Sequence, residues 1–174
     1  MDNLGDYETF IEHIDTELGN LGIRRDELLM MDHLCYRVET NERYQELKRA
    51  FQDNGAELIA ENQVNGREIA TFELKDPIRA GGWTVPYLEL PAPKQDAPYA
   101  EGLEHAELVT VGGLDKFLQR HSELPFLHKG MNKIINPEAS LKTDRISVKF
   151  HEQPLGAVAR IEKRLFEKGI KYED

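Results

Sequence analysis

The chain has 174 residues, of which 31% are charged and 40% hydrophobic, and its formal net charge is −10. Nucleic-acid backbones attract clustered Lys and Arg, so this acidic balance argues against a nucleic-acid partner. The apolar runs are shorter than the roughly 18–20 residues of a membrane span. The single cysteine, Cys35, excludes an internal disulfide and is typical of a reducing cytoplasm. We therefore expect a cytoplasmic protein without a membrane partner, and its oligomeric state stays open.

The first half of the chain is predicted to form a helix, then a strand, a second helix and three strands. Apolar residues recur at helical spacing over residues 6–21, and a strand follows over residues 31–38. Asn41 is the expected N-cap of the second helix. Three short strands come next, at residues 56–60, 67–74 and 84–90. Asn65-Gly66 predicts a hairpin turn between the first two, and residues 75–82 are the expected loop before the third.

The same order of elements is predicted to recur after a linker rich in proline and charge over residues 91–102. The second unit has a strand, a helix and further short strands, at residues 105–111, 114–121, 126–129 and 145–151, with a strand or loop beginning at 133–135. A final helix is predicted at residues 154–168, with Pro154 in its first turn. The pattern therefore predicts two strand–helix–three-strand units, with one helix before the first unit and one after the second.

Alternation along three strands places two histidines and a carboxylate on faces turned away from the apolar core. His33 shares its face with Cys35 and Arg37, Glu89 lies opposite two core leucines, and His105 begins the first strand of the second unit. Two histidines and a carboxylate are typical of a divalent-metal site with open positions.

Three other polar residues near these strands are expected to lie at the edge or rim of the sheet. Asp32 and Glu104 each precede a histidine, and neighbours on a strand point to opposite faces. We expect both to be polar residues at the strand edge rather than partners of the histidines. His151 is expected near the rim of the sheet.

The sequences of three segments resemble those of a known family. Residues 31–38 (MDHLCYRV), 87–94 (YLELPAPK) and 102–107 (GLEHAE) are similar to the YecM family, a small bacterial family of unassigned activity. Its fold is that of the vicinal-oxygen-chelate superfamily, which includes glyoxalase I, extradiol dioxygenases, methylmalonyl-CoA epimerase and bleomycin-resistance proteins. The likeness covers nearly the whole chain.

The resemblance implies an α+β fold in which two paired βαβββ modules form a curved mixed sheet around a cup. We expect one domain over residues 1–174, with modules at about 28–94 and about 102–153. Helices at 6–21 and 154–168 would flank them.

The resemblance also implies a ligand set for the metal ion. His33 and Glu89 would come from the first module and His105 from the second, holding Fe, Mn, Ni or Zn. The remaining ligand position falls on Lys149, whose ammonium has no lone pair. Either three ligands leave positions free for substrate, or the metal site is lost and Lys149 neutralises Glu89. Lys149 is therefore expected either to bind a ligand carboxylate next to the metal or to pair directly with Glu89.

Two functions are compatible with this site. The first is a metal-dependent isomerase, epimerase or oxygenase acting on a small oxygenated metabolite, with Glu89 or Glu107 as base. In that case Arg37, Arg67 and Lys149 are candidates to bind a carboxylate or phosphate of the substrate, although ordinary ion pairs are the rival explanation. The alternative is a non-catalytic protein that binds a small organic acid in the same cup.

Overall fold

The computed structural model describes residues 4–64, 66–94 and 99–170. Asn65, one half of the predicted hairpin turn, and residues 95–98 of the predicted linker lie outside the described residues. Four α-helices and seven strands are found within these ranges, in the order α1 (Tyr7–Asn20), β1 (Leu28–Arg37), α2 (Asn41–Asp53), β2 (Glu57–Val64), β3 (Arg67–Ala80), β4 (Trp83–Pro91), β5 (Gly102–Thr110), α3 (Leu114–Arg120), β6 (Ala139–Lys142), β7 (Ser147–His151) and α4 (Leu155–Glu167). No helix of the described residues is long and apolar enough to cross a membrane.

The strands form one curved mixed sheet in the order β2-β3-β4-β1-β5-β7-β6. The first strands of the two modules, β1 and β5, are antiparallel neighbours at its centre. Each is flanked on its outer side by the last strand of its own module in parallel, β4 beside β1 and β7 beside β5. The two halves of the sheet therefore repeat each other about the β1–β5 seam, and the predicted α+β fold is confirmed.

One row of apolar side chains crosses the sheet and fixes the register of its strands. Its members are paired from strand to strand and fully buried: Phe72, Leu88, Leu34, Ala106, Val148 and Leu141. They belong to the core cluster that also contains the buried apolar residues of α1, α2 and α3. Because side chains alternate along a strand, the residues next to this row point to the opposite face. We call that opposite face the cup face.

The third strand is longer than the sequence predicts. The loop expected over residues 75–82 is wrong, since β3 continues to Ala80 and the turn consists of Gly81 and Gly82, both with positive φ. A register shift between Glu73 and Ile78 accommodates the proline of this segment, and the pairing then resumes. Burial of Ile78 supplies an apolar contact that stabilises the extension.

Two further local predictions are wrong. Thr40, not Asn41, is the N-cap of α2: its backbone is extended and its Oγ1 accepts a hydrogen bond of 3.1 Å from the backbone N–H of Arg43. The strand predicted at 126–129 is reduced to a single bridge between Leu127 and Ser140. The second module therefore has one fewer full strand than the first within the described residues.

Candidate metal centre

Two neighbouring rows of the cup face supply the candidate site. In one row Thr71 pairs with Glu89, Glu89 with Cys35, and Cys35 with His105. The next row contains Tyr87, His33, Glu107 and Lys149, again paired from strand to strand. Side chains directly opposite one another on neighbouring strands are close enough to interact. The sheet register alone thus brings the side chains of both modules together at the β1–β5 seam.

Four of these side chains converge on one point. One ligand atom from each of His33, Glu89, His105 and Glu107 lies within 4.8 Å of the other three. The Nε2 atom of His33 is 3.4 Å from Oε1 of Glu107 and 3.7 Å from Oε2 of Glu89. The Nε2 atom of His105 is 3.1 Å from the same Oε1 of Glu107. The structure therefore brings together the three residues expected as ligands and adds a second carboxylate.

Asp32 and Glu104 are not the strand-edge residues that alternation predicts. Oδ2 of Asp32 is 3.0 Å from Nδ1 of His33, and Oε2 of Glu104 is 2.7 Å from Nδ1 of His105. The β1–β5 register shifts once at each of these acidic residues, which leaves each without a cross-strand partner. Such a bulge breaks the alternation of side chains, so an acidic residue reaches the ring that follows it.

The donor set fits a divalent ion. A carboxylate only accepts hydrogen bonds, so Nδ1 of His33 donates to Asp32 and leaves Nε2 as the nitrogen with a free lone pair in the neutral ring. That Nε2 atom is buried and makes no hydrogen bond. A carboxylate that holds the far nitrogen of a histidine is the usual support of a metal-bound imidazole. Ligands at about 2.0–2.2 Å from one ion lie about 4 Å or less from each other, comparable to the spacing seen here.

Lys149 forms its ion pair with a different carboxylate from the one expected. Its Nζ is 2.6 Å from Oε1 of Glu107 and 3.5 Å from Oε1 of Glu138, so the direct pair with Glu89, one of the two arrangements expected, is wrong. Burial by itself lowers the pKa of Lys149, but Glu107 and Glu138 outweigh it and raise that pKa above its ordinary value. The ammonium therefore stays charged and neutralises Glu107.

The register also shows which positions of the two modules are equivalent. Cys35 pairs with Glu89 in the first module, and Glu107 pairs with Lys149 in the second. Because Cys35 and Glu107 each follow their histidine by two residues, Lys149 stands in the second module where Glu89 stands in the first.

His151 is a member of the site that the sequence interpretation placed near the rim. It is 1% exposed, and neither of its ring nitrogens makes a hydrogen bond. Its Nε2 lies 3.5 Å from Oε2 of Glu107 and 3.6 Å from Oδ2 of Asp32. Burial lowers the pKa of His151. The alternation of β7, which puts His151 on the same face as Lys149, is the signal that identifies it.

Neighbouring groups shift the pKa values of the two candidate histidines in the same direction. Burial by itself lowers the pKa of His33, but the carboxylates of Glu107 and Asp32 outweigh it and raise that pKa well above its ordinary value. The pKa of His105 is likewise raised well above its ordinary value against the effect of burial. Burial raises the pKa of Glu107, yet Lys149 and His33 outweigh it and hold it well below its usual range. Without a bound ion, the centre is a network of buried ion pairs.

The two arginines expected to bind substrate lie at one end of the cup face. Arg37 follows Cys35 by two residues on β1, and its Nη2 makes an ion pair with Glu104. Arg67 donates from Nη1 to the hydroxyl of Tyr99 at 2.8 Å and to the carbonyl of Ala92 at 3.3 Å. Arg37 therefore has the ordinary ion pair that was the rival explanation.

Solved structures identify the class of fold. A structure described as Structural Genomics, Protein EC4020 superposes with a TM-score of 0.75 at 26% identity, covering 92% of each chain. A variant of methylmalonyl-CoA epimerase from Streptomyces coelicolor, in complex with 2-nitronate-propionyl-CoA, gives a TM-score of 0.53 at 19% identity and covers 72% of this chain and 98% of its own. The epimerase of Mycobacterium tuberculosis gives 0.55 at 12% identity, with coverages of 78% and 95%. The fold is that of the vicinal-oxygen-chelate superfamily.

The chain belongs to the YecM family, because the family model described as YecM protein matches residues 1–162. Protein YecM of Escherichia coli K12 is 34% identical over 111 residues, which cover 64% of this chain and 58% of that protein. A Haemophilus influenzae protein described as uncharacterized is 31% identical over 107 residues, which cover 62% and 53%. The matched part of the chain thus spans little more than half the length of these curated relatives.

Proposed function

We propose that the chain binds one divalent metal ion through His33, Glu89 and His105 and acts on a small oxygenated metabolite. The observation that carries the proposal is the buried Nε2 atom of His33, which makes no hydrogen bond and faces three other potential ligand atoms. Buried polar atoms are nearly always paired, so an orphan in such surroundings calls for a missing partner. As an enzyme it would be a metal-dependent isomerase, epimerase or oxygenase working in the cytoplasm.

Each residue of the centre has a definite role in this proposal. When bound, a divalent ion supplies a Lewis acid that stabilises negative charge on a substrate oxygen. Asp32 and Glu104 hold the two imidazoles through their Nδ1 atoms, so that both Nε2 atoms point to one place. Glu107, kept ionised beside Lys149, is the proposed acceptor of a substrate proton, and Glu89, with 20% of its side chain exposed, is the second candidate.

Lys149 and the two arginines are proposed to bind the acidic groups of the substrate. About a quarter of the Lys149 side chain is exposed, and it borders the candidate ligands through Glu107. Arg37 and Arg67 lie further along the cup face. A guanidinium binds a planar carboxylate or a phosphate through two parallel hydrogen bonds, which suits both arginines to this role.

A non-catalytic protein that binds a small organic acid is the second candidate function. The pair between Lys149 and Glu107 favours it, because a lysine stands where the first module has a carboxylate and because it neutralises the nearest remaining carboxylate. In this case the acid would enter the cup beside Lys149 without a metal ion. Tight binding of an organic acid by metal-free protein would distinguish it from the first proposal.

Metal content tests the proposal. Protein purified without a histidine tag or chelator is analysed for metal and titrated calorimetrically with Fe(II), Mn(II), Ni(II) and Zn(II). We expect about one ion per chain, and loss of that ion in the His33→Ala, His105→Ala double variant. The matched control is His13→Ala, His128→Ala, which removes two exposed histidines and should bind as the wild type does. Unchanged metal content in the first double variant would contradict the proposed site.

A further inference from the structure

Arg67 has no ion pair within the part of the chain that the structure describes. Its Nη1 donates to a hydroxyl and a carbonyl, both uncharged, and its Nε is buried without a hydrogen bond. Among the described residues no carboxylate lies within ion-pair distance of it. Neutral acceptors satisfy hydrogen bonds but leave the charge of a half-buried guanidinium uncompensated, which costs free energy. In a chain of net charge −10, this is an unusual place for an unpaired cation.

A second guanidinium lies against the same tyrosine. The guanidinium carbon of Arg37 is 4.5 Å from the ring centroid of Tyr99, while Arg67 holds the hydroxyl of that ring. Glu104 neutralises Arg37, whereas no carboxylate of the described residues forms an ion pair with Arg67. The end of the cup face around Tyr99 therefore carries a guanidinium that has no ion pair within the described residues.

The strand register places this positive end on the same face as the candidate metal centre. Thr71 on β3 pairs with Glu89, and Ile69 pairs with Pro91. Because every second residue of a strand lies on the same face, Arg67 lies on the cup face with Thr71 and Ile69. Arg67 is four residues along β3 from Thr71, a separation of about 13 Å at the usual rise of a strand. A ligand that touches both places must be elongated.

We propose that Arg67, held in place by the hydroxyl of Tyr99, binds the carboxylate or phosphate group of an elongated substrate whose oxygenated end reaches His33 and His105. The position of the oxygenated end rests on the proposed function, whereas the anion site rests on Arg67 alone. The substrate class is thus an anionic metabolite with its acidic group roughly 10 Å or more from the reacting carbon. The second terminal nitrogen, Nη2, makes no hydrogen bond within the described residues and is the donor proposed for the anion.

The test uses metal-free wild-type protein, dialysed free of chelator, so that it does not depend on the metal centre. Inorganic phosphate is titrated in one arm and succinate in the other, at constant ionic strength set with chloride, while the Nε–H signal of Arg67 is followed by NMR. We expect a saturable shift in at least one arm, and the arm with the lower Kd identifies the preferred acidic group. Absence of a saturable shift in both arms, or an equal shift with chloride alone, would overturn the proposal.

Three variants locate the binding. Arg67→Gln should weaken the preferred anion at least 10-fold, and Arg67→Lys, which keeps the charge but loses the fork, should weaken it less. Arg79→Gln removes a charge from an exposed position of the same strand and should bind as the wild type does. Equal affinity in Arg67→Gln and wild type would reject Arg67 as the site. If metal binds but no anion does, this inference alone fails; if the anion binds but no metal does, the proposed function alone fails.

Discussion

Lys149 decides how many carboxylates are available to a metal ion. It stands in the second module at the position of Glu89 in the first, and it holds Glu107 by a 2.6 Å ion pair. We predict that Lys149→Glu raises the affinity for a divalent ion. The change provides a carboxylate at the equivalent position and releases Glu107, so both can face the ion. Calorimetric titration of both proteins with Mn(II) measures the effect.

A matched charge reversal controls for the general electrostatic effect of that change. Lys142 is exposed at the end of β6, the edge strand of the sheet, and Lys142→Glu alters the net charge by the same amount away from the candidate ligands. It should leave the Kd for Mn(II) within about twofold of wild type, because exposed charges are screened by salt. No gain for Lys149→Glu over the control would mean that residue 149 does not occupy the fourth ligand position.

The raised pKa values of His33 and His105 predict how metal binding depends on pH. Raised pKa values favour the protonated form of both imidazoles in the metal-free protein, and a protonated imidazole has no lone pair for a metal. Affinity should therefore rise with pH through the raised histidine pKa values, and it should weaken as pH falls, beginning above the ordinary histidine range.

The same reasoning fixes the number of protons released. Calorimetry in buffers of different ionisation enthalpy should show up to about two protons leaving per ion at neutral pH, one from each imidazole. The folding stability of the metal-free protein depends on pH in the opposite direction. Raised histidine pKa values stabilise the fold below about pH 6.5, and this stabilisation is lost as the pH rises through the raised pKa values. Binding without proton release would show that the ion uses other ligands.

At the scale of elements, Asp32 links the candidate centre to α4. Its two carboxylate oxygens accept the backbone N–H of Leu155, the first residue of α4, at 3.2 and 3.0 Å, while Oδ2 also holds His33. A negative side chain at a helix N-terminus satisfies a free N–H and interacts favourably with the helix dipole. One carboxylate thus positions both a candidate ligand and the start of the helix.

We predict that Asp32→Asn lowers metal affinity about 10-fold or more and increases hydrogen exchange of the first α4 amides. The first effect follows from losing the support of His33, and the second from losing a charged cap. Thr40→Ala is the control: it removes the cap of α2, should cost about 1 kcal/mol of stability, and should leave the metal Kd unchanged. If Asp32→Asn binds the metal with the affinity of the wild type, Asp32 does not link α4 to metal binding.

The same elements show where sequence interpretation succeeds and where it stops. Alternation on β1, β4 and β5 predicts which face carries His33, Glu89 and His105, because burial of one sheet face enforces a period of two. It fails at Asp32 and Glu104, where bulges break that period, and bulges leave no clear mark in a single sequence. The Lys149–Glu107 pair also escapes prediction, since it depends on parallel pairing of strands that are 42 residues apart.

At the scale of the whole molecule, two similar halves meet at the antiparallel β1–β5 seam and each contributes a bulged acidic residue followed by a histidine. The repeat of elements predicted this arrangement, although the halves share almost no residue identity. The second half is less regular, with a bridge in place of a strand and with Lys149 in place of a carboxylate. The strands of the two halves are therefore arranged alike, whereas the charges that they carry on the cup face differ.

The most direct test of the account is to locate the ion. Crystals of the wild-type protein grown with Mn(II) or Zn(II) are measured on both sides of the absorption edge of the metal, so that an anomalous difference map shows bound ions. We predict one strong peak per chain at the β1–β5 seam, about 2.0–2.2 Å from the Nε2 atoms of His33 and His105. A strong peak at another place, or none at the seam when the metal is in excess, would contradict the central claim that the two modules build a metal site where they meet.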